Sequence, residues 1–86
     1  MDKKELQERR RRRMEFLDAL YEEVNADVNE FVDGYAIATR VGADQSEAKR
    51  IIAYLEEKGA VKVDDHKAGI IRITADGIDV VESGAE

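Results

Sequence analysis

The chain has 86 residues and no cysteine, which excludes disulfide bonds, thiol nucleophiles and thiolate metal sites. Its hydrophobic fraction of 43% is enough for one compact core. No apolar run approaches the ~18 residues needed to cross a membrane, and the amino end lacks the apolar stretch of a signal peptide. We therefore expect one domain, no membrane partner and, by default, a cytoplasmic location.

The net charge of −6 is divided unevenly along the chain. Residues 1–13 carry seven basic and three acidic side chains, whereas residues 14–86 carry seven basic and seventeen acidic ones. An acidic body disfavours coating of DNA by bulk electrostatics, but it permits a small basic contact face. We predict a basic helical extension over residues 1–13 and a folded domain over residues 14–83.

A long helix is predicted from residue 3 to about residue 26, because this segment contains neither glycine nor proline. Its apolar stripe, spaced by three or four residues, comprises Met14, Leu17, Tyr21 and Val24, with Phe16 and Leu20 beside it. Before this stripe only Leu6 is apolar, which predicts a solvated arm or a partner surface. The run Arg9 to Arg13 covers every face of a helix and is compatible with a solvated end, a phosphate-contacting arm or an oligomer contact.

The polar segment from Asn25 to Asn29 is suited to ending the first helix. Phe31 and Val32 predict a very short strand, and Asp33 is a plausible N-cap for the helix that follows. A short helix, a sharp turn at Gly42 and a longer helix are then predicted up to residue 59.

Asp44 stands at the N-cap position of this longer helix, and Gly59 fits the left-handed position that follows many helices. Four apolar residues share one face of it: Ala48, Ile51, Ile52 and Leu55. The opposite face is thereby left to polar side chains.

Beyond Gly59 the apolar period changes from 3.6 to two, which indicates β-strands. The strands are predicted around Val61 and Val63 and around Ile71 and Ile73, with a hairpin loop between them. Thr74 can cap a short final helix whose inward residues are expected to be Ala75, Ile78 and Val81. Residues 83–86 are expected to fray.

The run from Gln45 to Val61 resembles the recognition helix and following strand of bacterial and archaeal winged-helix regulators, including the multiple-antibiotic-resistance type. It contains their Leu-Glu-x-x-Gly-x-Val ending, and residues 73–78 are similar to the Leu-Thr-x-x-Gly-x segment that follows the wing. The resemblance implies an α+β winged helix-turn-helix fold: a three-helix core, a two- to three-stranded β-hairpin wing and a short C-terminal helix. It also implies a DNA-binding transcriptional regulator.

In that family's binding mode, the helix over residues 44–58 enters the major groove of double-stranded DNA. The resemblance implies phosphate contacts from Arg40 and Tyr54, and backbone or minor-groove contacts from His66 and Lys67 in the wing. The residues expected to read base edges are Gln45, Ser46, Lys49 and Arg50. A homodimer formed through the first helix would present two such helices to a palindromic site.

The competing hypothesis is an acidic winged-helix module or adaptor domain that binds a protein partner without sequence-specific DNA binding. Asp44 and Glu47 place two carboxylates at the helix end that should approach phosphates, and the wing contains Asp64 and Asp65. Enzymatic activity is not expected, because neither serine lies in a Gly-x-Ser-x-Gly motif and His66 is the only histidine. We likewise expect no metal and no cofactor.

Overall fold

In the computed structural model, which describes residues 2–84, the chain begins with the long helix α1 (Lys3–Val24). The carboxylate of Asp2 caps its first turn by accepting a hydrogen bond from the Glu5 N–H at 2.9 Å. The helix ends at Asn25, which has a left-handed backbone with φ of 52°. The predicted long helix and its polar end are thus confirmed.

The buried face of α1 differs in phase from the predicted stripe. Phe16 and Leu20, expected beside the stripe, are 0% exposed, whereas Met14 and Tyr21 are only partly buried. The apolar spacing alone is compatible with several rotations of the helix. The neighbouring helices and the sheet decide which rotation buries most apolar surface.

The next two helices are α2 (Gly34–Arg40) and α3 (Gln45–Glu57). Asp33 caps α2 by accepting from two backbone N–H groups, and Asp44 caps α3 by accepting from the Glu47 N–H at 2.8 Å. Gly42, with φ of +86°, forms the turn between them, and a side chain at this φ would be strained. Both predicted caps and the predicted turn are confirmed.

Three strands form one antiparallel sheet in the order β1-β3-β2: β1 (Val32–Asp33), β2 (Val61–Asp65) and β3 (Ile70–Ile73). The β2–β3 hairpin pairs Val61 with Ile73 and has a register shift between Val63 and Asp65. The predicted hairpin is confirmed. Phe31, which was predicted in the first strand, lies outside it and is 57% exposed.

The last helix, α4 (Ala75–Ser83), begins at Thr74, whose hydroxyl accepts from the Gly77 N–H at 3.0 Å and donates to the Gly59 carbonyl. Gly77 is required by space, because a Cβ there would lie 2.2 Å from the Ala60 carbonyl oxygen. Ala75, predicted to face inward, is exposed. The helix continues through residue 83, so part of the predicted frayed end is helical; residues 85 and 86 lie outside the described part.

The core lies between α1, α2, α3 and the sheet, and α4 packs against α1. Among residues 2–84, no helix has the length and apolarity that crossing a bilayer requires.

The architecture is α+β, with four helices and a three-stranded antiparallel sheet in the described region. This order of elements is compatible with the expected winged-helix arrangement.

Candidate nucleic-acid interface

The solvent-facing side of α3 carries the four residues that were expected to read base edges. Its opposite side fills the core, with Ile51 and Leu55 each 4% exposed. A helix that is anchored along one face presents the other face as a rigid surface. The exposed residues on that surface are Gln45, Ser46, Lys49 and Arg50. Among them Arg50 Nη1 lies 3.3 Å from Ser46 Oγ, one helical turn away.

Both carboxylates at the start of α3 have partners within the chain. Asp44 accepts from the backbone N–H of Glu47 at 2.8 Å, as a capping residue does. The Glu47 carboxylate in turn lies 3.3 Å from Arg12 Nη1 on α1. These contacts reduce the negative potential that the sequence placed at this end of the helix.

Arg12 is a residue whose role the sequence reasoning missed. Its Nη1 also donates to the Gly42 carbonyl oxygen at 2.7 Å, and its side chain is only 22% exposed. Arg12 therefore ties α1 to the turn that precedes α3. The predicted extension over residues 1–13 is thus in contact with the rest of the chain at its carboxyl end.

A shallow groove of about 150 Å³ runs between α1 and α3, and we name it the arginine groove. The Arg13 guanidinium lies 4.1 Å from the centroid of the Tyr54 ring, a distance at which cation–π attraction is effective. Its lining consists of Arg9, Arg13, Glu47, Arg50, Ile51 and Tyr54. The sequence held one signal for this groove: Arg9 and Arg13 precede the buried Leu17 at intervals of four residues, so they lie on the same side of α1 as a core residue.

The two residues expected to contact phosphates, Arg40 and Tyr54, lie in different surroundings. Arg40 forms an ion pair with Glu23 of α1, and about half of its side chain is exposed. Tyr54 is partly buried, and the Lys58 Nζ lies 5.8 Å from its ring centroid, farther away than the Arg13 guanidinium. The structure brings Tyr54 next to the arginines of α1.

The loop of the β2–β3 hairpin carries the remaining two predicted contacts. His66 Nε2 lies 3.2 Å from Glu56 Oε2, which connects the loop to α3. Lys67 is exposed, and its backbone N–H donates to Asp65 Oδ1 at 3.0 Å. His66 and Lys49 line one shallow groove between the hairpin and α3, and Lys67 is not among its lining residues.

The acidic residues of the hairpin also have partners. Asp65 accepts backbone N–H groups within the hairpin turn, and Asp64 Oδ2 lies 3.8 Å from Arg72 Nε. In residues 2–84, no three His, Asp or Glu side chains are grouped so as to hold a metal ion.

No protein-family model, no curated protein and no solved structure matches this chain.

Proposed function

We propose that the chain is a winged helix-turn-helix domain that binds double-stranded DNA as a transcriptional regulator. In this proposal α2 and α3 form the helix-turn-helix, α3 enters the major groove, and the β2–β3 hairpin is the wing. The observation that carries the proposal is the exposure of the polar surface of α3, together with the bonding of its two carboxylates. The four side chains that are expected to read bases are exposed. Both carboxylates at the start of α3 are already bonded within the chain, Asp44 to the Glu47 N–H and Glu47 to Arg12.

Local charge supports this assignment despite the net charge of −6. Arg9 and Arg13 of α1 line the same groove as Arg50 of α3, so three basic side chains lie along one edge of the exposed α3 surface. Screening limits the reach of exposed acidic groups elsewhere to about 8–10 Å at physiological ionic strength. An acidic chain with a basic contact face is therefore compatible with DNA binding.

In the proposed complex the amide of Gln45 pairs with adenine, and Lys49 or Arg50 pairs with guanine. Each good pair of this kind contributes about 1–3 kcal/mol of discrimination. His66 and Lys67 in the wing would add contacts to the DNA backbone. In a cell without a nucleus, a function of this kind would place the protein in the cytoplasm.

A homodimer through α1 is part of the proposal. All described residues before Arg12 are exposed, and Leu6 is 44% exposed, so this half of the helix has surface available for a second copy. Paired α3 helices about 34–36 Å apart would then match half-sites one DNA turn apart.

The test is selection from a randomised duplex pool at two salt concentrations, followed by sequencing of the retained DNA. We expect a palindromic motif whose retention weakens as salt rises, because several phosphates would be contacted. The double variant Lys49→Ala with Arg50→Ala should bind the selected duplex at least about tenfold more weakly. Lys62→Ala is the control, because it removes an exposed cation near the start of β2, where the strand pairs with Arg72, away from the hairpin loop that carries His66 and Lys67. Undiminished binding by the double variant would refute the role of α3.

The competing function is a protein-interaction module, which is favoured by the exposed aromatic ring of Phe31. The Arg72 guanidinium lies 5.8 Å from this ring, so the site combines an apolar surface with a cation. Absence of DNA retention at low salt would support this second function. Binding to a protein partner through Phe31 should then be lost in Phe31→Ala and should depend only weakly on salt.

A further inference from the structure

The two walls of the arginine groove carry three arginine residues. Arg9 and Arg13 are one helical turn apart on α1, and Arg50 and Tyr54 are one turn apart on α3. The side chains at such spacings lie on the same face of their helix. Ile51, which is 4% exposed, lies among them. The groove is open to solvent and borders the exposed surface of α3.

The contacts around the groove hold its walls in place. Arg12, next to Arg13, donates to the Gly42 carbonyl and pairs with Glu47, which links α1 both to the turn before α3 and to α3 itself. Arg13 lies over the Tyr54 ring at 4.1 Å. Preorganised donors lose less conformational freedom when a ligand binds than mobile ones do.

The charge of the groove selects the kind of ligand. Three of its six lining residues are arginines, and its single carboxylate, Glu47, is already paired with Arg12. Guanidinium groups that line the same groove repel one another, so an anion bound among them is favoured. The guanidinium group matches the geometry of phosphate oxygens, which it binds through two parallel hydrogen bonds.

We infer that the arginine groove binds one phosphodiester group of the DNA backbone, beside the part of the duplex that α3 reads. An open groove next to an exposed recognition surface suits a continuous backbone. This inference rests on the proposed function and refines it: Arg50 contacts the backbone together with Arg9 and Arg13, and base reading falls to Gln45 and Lys49. Arg12 is a positioning residue.

The experiment measures binding of the selected duplex and of a random duplex by fluorescence anisotropy over a series of NaCl concentrations. The variant Arg9→Gln with Arg13→Gln should reduce the slope of log affinity against log salt by about 1. Its affinity should fall by the same factor for both duplexes, because a backbone contact carries no sequence information. Lys3→Gln with Lys4→Gln removes the same charge from α1 outside the groove and is the control. Because these residues and Arg9 also lie on the proposed dimer surface, analytical ultracentrifugation verifies that both variants keep the oligomeric state of the parent. Circular dichroism melts of both variants verify that they remain folded.

The conservative variant Arg9→Lys with Arg13→Lys adds a second readout. It retains the charge and loses the bidentate geometry, so the salt slope should stay near that of the parent while the affinity falls. An unchanged slope and affinity in the glutamine variant would overturn the inference. If Lys49→Ala still weakened binding to the selected duplex, the proposed function would survive that result.

A parent protein that binds no duplex would refute the proposed function, and the groove is then tested separately. The probe is inorganic phosphate, added while the arginine Nε–Hε signals are followed by nuclear magnetic resonance. Shifts at Arg9, Arg13 and Arg50 in the parent, with the Arg50 shift lost in the glutamine variant, would support a phosphate site whose ligand is a free phosphate and would overturn the DNA-backbone assignment. Absence of such shifts would refute the site altogether.

Discussion

Replacing Arg12 with alanine should weaken the attachment of α1 to the turn before α3. Arg12 Nη1 donates to the Gly42 carbonyl at 2.7 Å and lies 3.3 Å from Glu47 Oε1. A hydrogen bond from a charged donor contributes about 1.5–3 kcal/mol, and a partly exposed ion pair contributes about 0.2–1 kcal/mol. The Gly42 end is exposed, so the lower part of the first range applies. We expect Arg12→Ala to lower the free energy of unfolding by about 2 kcal/mol.

The assay is urea denaturation combined with thermal melting followed by circular dichroism. For a domain of this size, a loss of 1 kcal/mol lowers Tm by about 4–8 °C, so the expected decrease is about 8–16 °C. Arg10→Ala is the matched control, because Arg10 is exposed and makes neither of these contacts. A variant Arg12→Ala that melts within about 2 °C of the parent would contradict the reasoning, since the anchor would then contribute little.

Three further predictions concern the core, a close approach and a carboxyl group. Phe16→Ala, at a side chain that is 0% exposed, should lower the urea-derived unfolding free energy by about 3–5 kcal/mol. Gly77→Ala should lower Tm strongly, because its Cβ would lie 2.2 Å from the Ala60 carbonyl oxygen. Burial, and then repulsion by neighbouring carboxylates, raises the pKa of Asp18. The free-energy cost of charging Asp18 in the folded state is therefore absent at low pH and present once the pH exceeds its raised pKa. Asp18→Asn should accordingly raise Tm at about pH 7 and leave it unchanged at about pH 3.

Each of these predictions has an outcome that would contradict it. A Phe16→Ala protein as stable as the parent would mean that this ring does not fill the core. Gly84→Ala is the control for Gly77→Ala, because no atom lies within 4 Å of its added Cβ and only the left-handed backbone, with φ of +71°, opposes a side chain there. A loss at Gly77 no larger than the loss at Gly84 would refute the steric argument. An Asp18→Asn effect of the same size at both pH values would show that the titration of this carboxyl group is not its cause.

The elements of secondary structure followed from short-range rules. Asp33, Asp44 and Thr74 each cap the helix that the sequence assigned to them, because a cap is a contact between residues two or three positions apart. Gly42 likewise has the positive φ that the predicted turn requires. Because such contacts join residues only two or three positions apart in the chain, the local sequence pattern is enough to predict them.

The predictions that needed correction depended on packing between distant segments. Periodicity predicted α1 but placed Met14 and Tyr21 in its central stripe, whereas the other helices and the sheet select the face around Phe16 and Leu20. Phe31 is apolar and precedes a β-branched residue, which favours a strand, but β3 pairs only from Val32 onward. Pairing partners of a strand are not visible in its own residues.

The sequence by itself determined the order of the helices and the hairpin and the caps at which α2, α3 and α4 begin. It also placed the polar residues of α3 on the face opposite its core residues. Only the tertiary structure decided which charged side chains of other segments lie beside α3. Arg12 and Glu47 are separated by 35 positions, yet they form an ion pair, and Arg9 and Arg13 lie beside Arg50. Electrostatic interaction depends on distance in space, and for residues this far apart in the chain that distance is set by how the helices pack.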